Sequence, residues 1–281
     1  MQIAVVGLGL IGGSIAKVLK KNTPHTVLGT DISKDVIYKA KLLDAIDAEL
    51  TDERLSICDM VILAAWPNGT VEYLKNKAAL IKKGAAVIDV CGVKSEICKQ
   101  LWQVAKEQGF LFVGGHPMTG IERSGFENAT AKLFEKASMI LTPPKGLTIE
   151  TLENLKAFWM ELGFGNVVIT TPENHDRVIA YTSQLAHVVS SAYIKSPTAL
   201  DHKGFSAGSY KDMTRVARLD PNLWTELFMH NREALLKETD ALIDRLIEYR
   251  DALKENDADR MKTLLRAGLE QKLAADRKDV Q

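Results

Sequence analysis

The sequence predicts an α/β half followed by an all-helical half, and three observations carry the prediction. Val- and Ile-rich runs of strand length alternate with amphipathic stretches through residue 171. Those runs are apolar almost throughout, as strands of a parallel sheet covered on both faces must be. Beyond Pro172 the strand signal stops, and apolar residues recur three and four positions apart. The expected division is therefore a doubly wound parallel sheet domain over residues 1–171 and a helical domain over residues 172–281.

Taken in order, the strands are QIAVVG, TVLGTD, MVILAA, AAVIDV and LFVGG, followed by KASMILTPP and NVVITT. Between them IGGSIAKVLKK, KDVIYKAKLLD, NGTVEYLKNKAALIKKG, KSEICKQLWQVAKEQG and IETLENLKAFWMELG carry helical spacing. The helical half begins with PENHDRVIAYTSQLAHVVSSAYIK, with Pro172 in the first turn and Glu173 near the positive end of the helix. Glycines and a proline interrupt SPTALDHKGFSAGSYKDMTR, so part of it is expected as loop. Helical spacing resumes from Asp220. Apolar positions there, among them Leu235, Leu236, Leu242, Ile243, Leu246 and Ile247, suit both a core and a shared interior between two copies.

Bulk properties exclude several classes of function. The chain has 281 residues, with 36 Lys+Arg against 36 Asp+Glu, so no net field favours nucleic acid or an anionic membrane. A small anion needs only one or two local cations and stays open. Cys58, Cys91 and Cys98 form no Cys-x-x-Cys pair and are expected as reduced thiols, neither a disulfide framework nor a metal site. The start MQIAVVGLG leaves no room for a cleavable signal, and no run approaches the ~18 apolar residues of a membrane span. A soluble, cytoplasmic protein is expected.

GLGLIGGS supplies Gly-x-Gly-x-x-Gly as Gly7, Gly9 and Gly12, between a strand and a helix. The first glycine permits a tight turn, the second lets a pyrophosphate approach the backbone, and the third allows close helix–strand packing. Free amides at the helix start bind the anion. Asp31 ends the next strand, nineteen positions after Gly12, where a carboxylate accepts from the ribose hydroxyls and repels a 2′-phosphate. This is a Rossmann fingerprint for NAD rather than NADP; the alternative for Asp31 is a helix cap before Ser33. Trp66 and Pro67, after the MVILAA strand, either wall the nicotinamide side or form a surface turn.

FVGGHPMTGIERSG places His116 beside a proline after an apolar run, at the carboxyl edge of the sheet where α/β folds bind ligands. An imidazole of ordinary pKa ~6.5 can take a proton from an alcohol as hydride leaves. Ser183 and His187 lie four apart in SQLAH, SYKDMTRVARLDPNLW carries Lys211, Arg215, Arg218 and Trp224, and FMHNRE carries Asn231.

With GGHPMTG, this order resembles the prephenate and arogenate dehydrogenases, the oxidoreductases of tyrosine biosynthesis. The resemblance implies that His116 assists deprotonation of the ring hydroxyl and that Arg215 binds a substrate carboxylate. His187, Trp224 and Gly208 would line the substrate pocket, and the helical domain would dimerise. It implies a dicarboxylate substrate: prephenate, giving 4-hydroxyphenylpyruvate, with arogenate, giving tyrosine, as the alternative. The chain departs from the family pattern at Gly92, where a serine is frequent. It departs again at Ile121, where threonine or serine is frequent, and in SQLAH, where the family has Ser-His-Leu-Pro-His. The rivals are a β-hydroxyacid dehydrogenase, whose Gly-x5-Lys-x3-Asn helix is missing from the sequence, and an NAD-sensing protein without turnover.

Overall fold

A computed structural model of the chain describes residues 1–121 and 123–279. Its elements run β1 (Gln2–Val6), α1 (Leu10–Asn22), β2 (Thr26–Thr30), α2 (Lys34–Leu42), β3 (Ala48–Glu49), α3 (Asp52–Leu55) and β4 (Met60–Leu63). They continue through α4 (Pro67–Lys77), β5 (Ala86–Asp89), α5 (Ser95–Gln108), β6 (Leu111–Pro117), β7 (Ser138–Thr142), α6 (Ile149–Glu161) and β8 (Asn166–Ile169). All seven expected strands form, and β3, two residues at the sheet edge, is the addition.

The sheet order is β3-β2-β1-β4-β5-β6-β7-β8. The chain therefore winds outward from β1 in one direction and from β4 in the other, leaving a crevice at the β1/β4 switch where ligands of such sheets bind. Ile3, Val5, Ile62 and Ile88 belong to the core on one face, and Ala4, Val61, Leu63 and Val87 to that on the other. Both faces being buried explains why these strands read as continuous apolar runs.

Two features correct the expected sheet. β7 runs antiparallel to β6; among the described residues the stretch between them holds a short 3-10 turn, Phe126–Asn128, and no crossover helix of the kind a parallel pair needs. His116 is not in a loop after the strand: it lies within β6, opposite Ile140 of β7. The two glycines before it are needed for close approach. A Cβ on Gly114 would sit 2.6 Å from Cys98 Sγ, and one on Gly115 would sit 2.6 Å from the Asp89 carbonyl oxygen.

Beyond the sheet, α7 (Pro172–Ile179) passes through a π-helical segment, Ala180–Leu185, into α8 (Ala186–Tyr193). Then follow α9 (Gly208–Thr214), α10 (Pro221–His230), α11 (Arg232–Lys254) and α12 (Ala258–Asp279). Asp220 caps α10 through the amides of Asn222 and Leu223. By compactness the chain divides into Met1–Arg232 and Glu233–Gln281. In the second unit Asn256, at φ 53°, turns α11 into α12, and the Tyr249 hydroxyl donates to the Leu264 carbonyl across the hairpin. Leu236, Ile243, Leu246, Leu265 and Leu269 are all exposed there. Among the described residues no helix is long and apolar enough to cross a membrane. The three cysteines are free and buried.

Candidate active site

The glycine loop has the form a dinucleotide requires. Gly7 adopts φ +86°, where a Cβ would lie 2.5 Å from the Ala64 carbonyl oxygen, and a Cβ on Gly12 would collide with the Gly7 carbonyl. Above Gly9 nothing stands within 4 Å, so the space beside the start of α1 is open. Gly9 is the N-cap and offers no side-chain cap, which leaves the first amides of α1 available to an anion. Asp31 follows β2 and accepts from the Leu8 amide at 2.7 Å and the Ser33 amide at 2.9 Å. Its carboxylate thus fastens the glycine loop to the end of β2, the place a ribose-binding acid occupies. Pro67 is buried as the first residue of α4, and Trp66 beside it is exposed. The Asn68 amide there is capped by Glu226 of α10 at 2.6 Å.

His116 is one end of a buried chain of hydrogen bonds. Its Nδ1 lies 2.9 Å from His175 Nε2, and His175 Nδ1 lies 2.7 Å from Asp176 Oδ1. The Asp176 carboxylate also accepts from the amides of Lys94 at 2.8 Å and Ser95 at 2.7 Å. It therefore caps α5, whose own N-cap residue supplies no side-chain bond. Burial would raise the Asp176 pKa, but the bonds from His175 and Ser95 outweigh it and hold the carboxyl below its ordinary value. Burial, then His175 and Lys94, push His116 well below the ordinary histidine range. Burial also lowers His175, against the opposing pull of Asp176. Both imidazoles are consequently neutral at pH 7.

The other ring nitrogen of His116 faces Gly92, where a Cβ would stand 3.8 Å from Nε2 and 3.3 Å from Leu227 Cδ2. The position at which this chain lacks a serine is thus directly beside the His116 ring. Below it, Lys94 Nζ and Asp89 form an ion pair with both side chains fully buried. Asp89 also accepts from the amides of Cys91 at 3.0 Å and Gly115 at 3.3 Å, tying the β5–α5 loop to β6. Desolvation works against the charged lysine, and Asp89 overcomes it, so the Lys94 pKa is raised.

Arg215 follows α9 and lines a pocket with Ile121, Arg123, Asn128 and Arg218. Ile121 reaches that pocket four residues after β6 ends, which links the Arg215 region to the strand bearing His116. His187 Nδ1 donates to the Val216 carbonyl at 3.1 Å, and its ring lies 3.8 Å from that of Trp224. The structure thus gathers His187, Trp224 and the Arg215 turn into one cluster. Gly208 opens α9 on an exposed side, where a Cβ would meet nothing within 4 Å.

Sequence reasoning missed His175, Asp176, Lys94 and Asp89 altogether. The available signal was His-Asp in the first turns of a helix, a pair of polar residues on the face that α7 buries. Gln184, where the family has its first histidine, is also buried. It donates to the Leu227 carbonyl at 3.2 Å and accepts from Asn231 at 2.7 Å, while Asn231 donates to the Asp176 carbonyl at 2.8 Å. This departure therefore has its own polar partners.

Two family models match the chain: prephenate dehydrogenase, nucleotide-binding domain, over residues 15–170, and prephenate dehydrogenase, dimerization domain, over residues 171–267. Prephenate dehydrogenase of Bacillus subtilis is 32% identical over 268 residues, covering 92% of this chain and 72% of that protein. Cyclohexadienyl dehydrogenase of Zymomonas mobilis is 32% identical over 267 residues, covering 92% of this chain and 90% of that protein. The solved prephenate dehydrogenase of Aquifex aeolicus, in complex with hydroxyphenyl propionate and NAD+, superposes with a TM-score of 0.85 at 27% identity, covering 100% of this chain and 98% of that one. The Synechocystis arogenate dehydrogenase does so with a TM-score of 0.81 at 27% identity over the whole of both chains. The chain belongs to the prephenate dehydrogenase family.

Proposed function

We propose that the protein is an NAD-dependent dehydrogenase that converts prephenate to 4-hydroxyphenylpyruvate with loss of CO2. The observation that carries this reading is the neutral His116, held from behind by His175, with its Nε2 facing the Gly92 loop at the carboxyl edge of the sheet. In a family whose relatives oxidise cyclohexadienols, that nitrogen is placed to take the proton of the ring hydroxyl.

Bound NAD+ supplies the hydride acceptor. Gly7, Gly9 and Gly12 would leave room for its pyrophosphate, and Asp31, at the end of β2, would accept from its ribose hydroxyls. His116 Nε2 accepts the hydroxyl proton as the C–H electron pair departs from ring C4, so that C4 becomes a carbonyl. Loss of CO2 from C1 then aromatises the ring, and the protein's task reduces to alignment and one proton transfer. Arg215 offers a planar fork to a substrate carboxylate, and His187 and Trp224 form the adjoining wall. We retain residues 1–171 as the cofactor domain and 172–281 as the substrate and dimerisation domain, in the cytoplasm.

Production of NADH with prephenate, with arogenate, or with neither tests this reading. Turnover of prephenate is expected, and Arg215→Ala is expected to raise KM roughly 10- to 150-fold, for a charge-assisted bond of ~1.5–3 kcal/mol. Arogenate as the faster substrate would transfer the assignment to the alternative, and turnover of neither would refute both.

The exposed leucines and isoleucines of α11 and α12, with the family description of this region as a dimerization domain, support a homodimer through the helical domain. Light scattering should give twice the 31.0 kDa of the chain. A monomer at working concentration would exclude it.

A further inference from the structure

We propose that His175 and Asp176 act as positioning residues that fix the tautomer of His116, keeping its Nε2 bare toward the substrate side. The inference rests on the assignment of His116 as the base and extends it.

The argument is one of donors and acceptors. Asp176 is ionised and only accepts, and it already receives two backbone amides. His175 Nδ1, 2.7 Å from it, must therefore carry a hydrogen. A neutral His175 then has a bare Nε2, which can only accept, so His116 Nδ1, 2.9 Å away, must donate. A neutral His116 that donates through Nδ1 has its lone pair on Nε2, the atom facing Gly92. Every proton in the chain follows from the carboxylate at its far end.

The same chain assists the step itself. When Nε2 takes the substrate proton, His116 becomes an imidazolium in a buried place where Lys94 disfavours it. Its Nδ1–H then strengthens the bond to His175, whose Nδ1–H is backed by the Asp176 charge. The proton stays on His116, and the carboxylate compensates its charge through the intervening ring. The groups around this pair are Asp176 on α7, Lys94 at the start of α5, Asp89 at the end of β5 and Cys98 on α5. Lys94 and Asp89 neutralise one another, and burial raises the Cys98 thiol to about 12, so Asp176 is the uncompensated charge.

The test has one readout that does not depend on turnover. Nitrogen NMR of the 15N-histidine-labelled protein at neutral pH should give His116 a pyridine-type Nε2 and a protonated Nδ1. His175→Ala should allow both tautomers, lower kcat ~10²-fold with KM and NAD affinity kept, and displace the acid limb of the pH profile. His175→Gln, whose amide can accept from His116 and donate to Asp176, should recover most of kcat. A wild-type His116 protonated at Nε2 would overturn the proposal, as would a His175→Ala variant with wild-type kcat and pH profile. If neither cyclohexadienol is oxidised, the functional reading falls while the nitrogen shifts still decide the tautomer.

Discussion

Replacing His116 by asparagine is expected to lower kcat by ~10²–10⁴-fold while leaving NAD affinity unchanged. The amide can keep the bond to His175 but cannot take a proton. His116 stands in β6, separated in the sheet by β4 and β5 from β1 and the glycine turn that follows it, so the cofactor contacts should survive. The pH dependence carries its own sign. Only the neutral ring accepts a proton, and burial beside His175 and Lys94 holds its pKa well below the usual value. The base is therefore competent across the whole range above the ordinary ~6.5, and kcat/KM should fall only at more acid pH. Stopped-flow or steady-state NADH production measures both effects. An asparagine variant with wild-type turnover would remove His116 from the chemistry, and an acid limb at or above the ordinary value would contradict the neutral, buried ring.

Lys94→Met should produce the largest loss of stability of any single change near the site. The ammonium is fully buried against Asp89, and its removal leaves a carboxylate with only the Cys91 and Gly115 amides for compensation. Breaking a buried pair in this way costs ~3–5 kcal/mol, because the remaining charge has lost its solvent and its partner. Adding Asp89→Asn should return part of that loss, since the uncompensated charge is then gone. Urea unfolding followed by circular dichroism reads both. An unchanged midpoint for Lys94→Met would show that Asp89 is solvated or protonated, in conflict with its burial.

The parts of this fold that could be read from the sequence depend on residues close together along it. Gly7, Gly9 and Gly12 announce the turn because each answers a steric demand made by its immediate neighbours. The strands are apolar throughout because both faces are covered, and that too is a local pattern. Arg215, His187 and Trp224 were found through a resemblance; in the structure His187 lies against Trp224 and donates to the Val216 carbonyl, next to Arg215 in the chain.

The direction of β7 was not legible, since strand pattern is the same for parallel and antiparallel pairing. Nor was the extension of β6 through His116, where a proline and polar neighbours suggested a loop. The antiparallel partner prolongs the strand to Pro117. The dyad of His175 and Asp176 was invisible for a different reason. Its meaning lies in bonds to His116, Lys94 and Ser95, between 59 and 82 residues away in the chain. A lone His-Asp in a helix is commonplace, and only the fold joins it to the ring of His116.

The chain of bonds from Asp176 to His116 bears on how such enzymes can be recombined. The boundary between the two family matches falls at residues 170 and 171, and it separates His116 from His175 and Asp176, the pair bonded behind it. A chimaera spliced there would inherit His116 from one parent and that ring's hydrogen-bond partners from the other. Each parental half could fold correctly and bind its own ligand, yet the hybrid's catalytic competence would depend on how well the two halves reproduce a single 2.9 Å contact. Modular in sequence, the active site is indivisible in its chemistry.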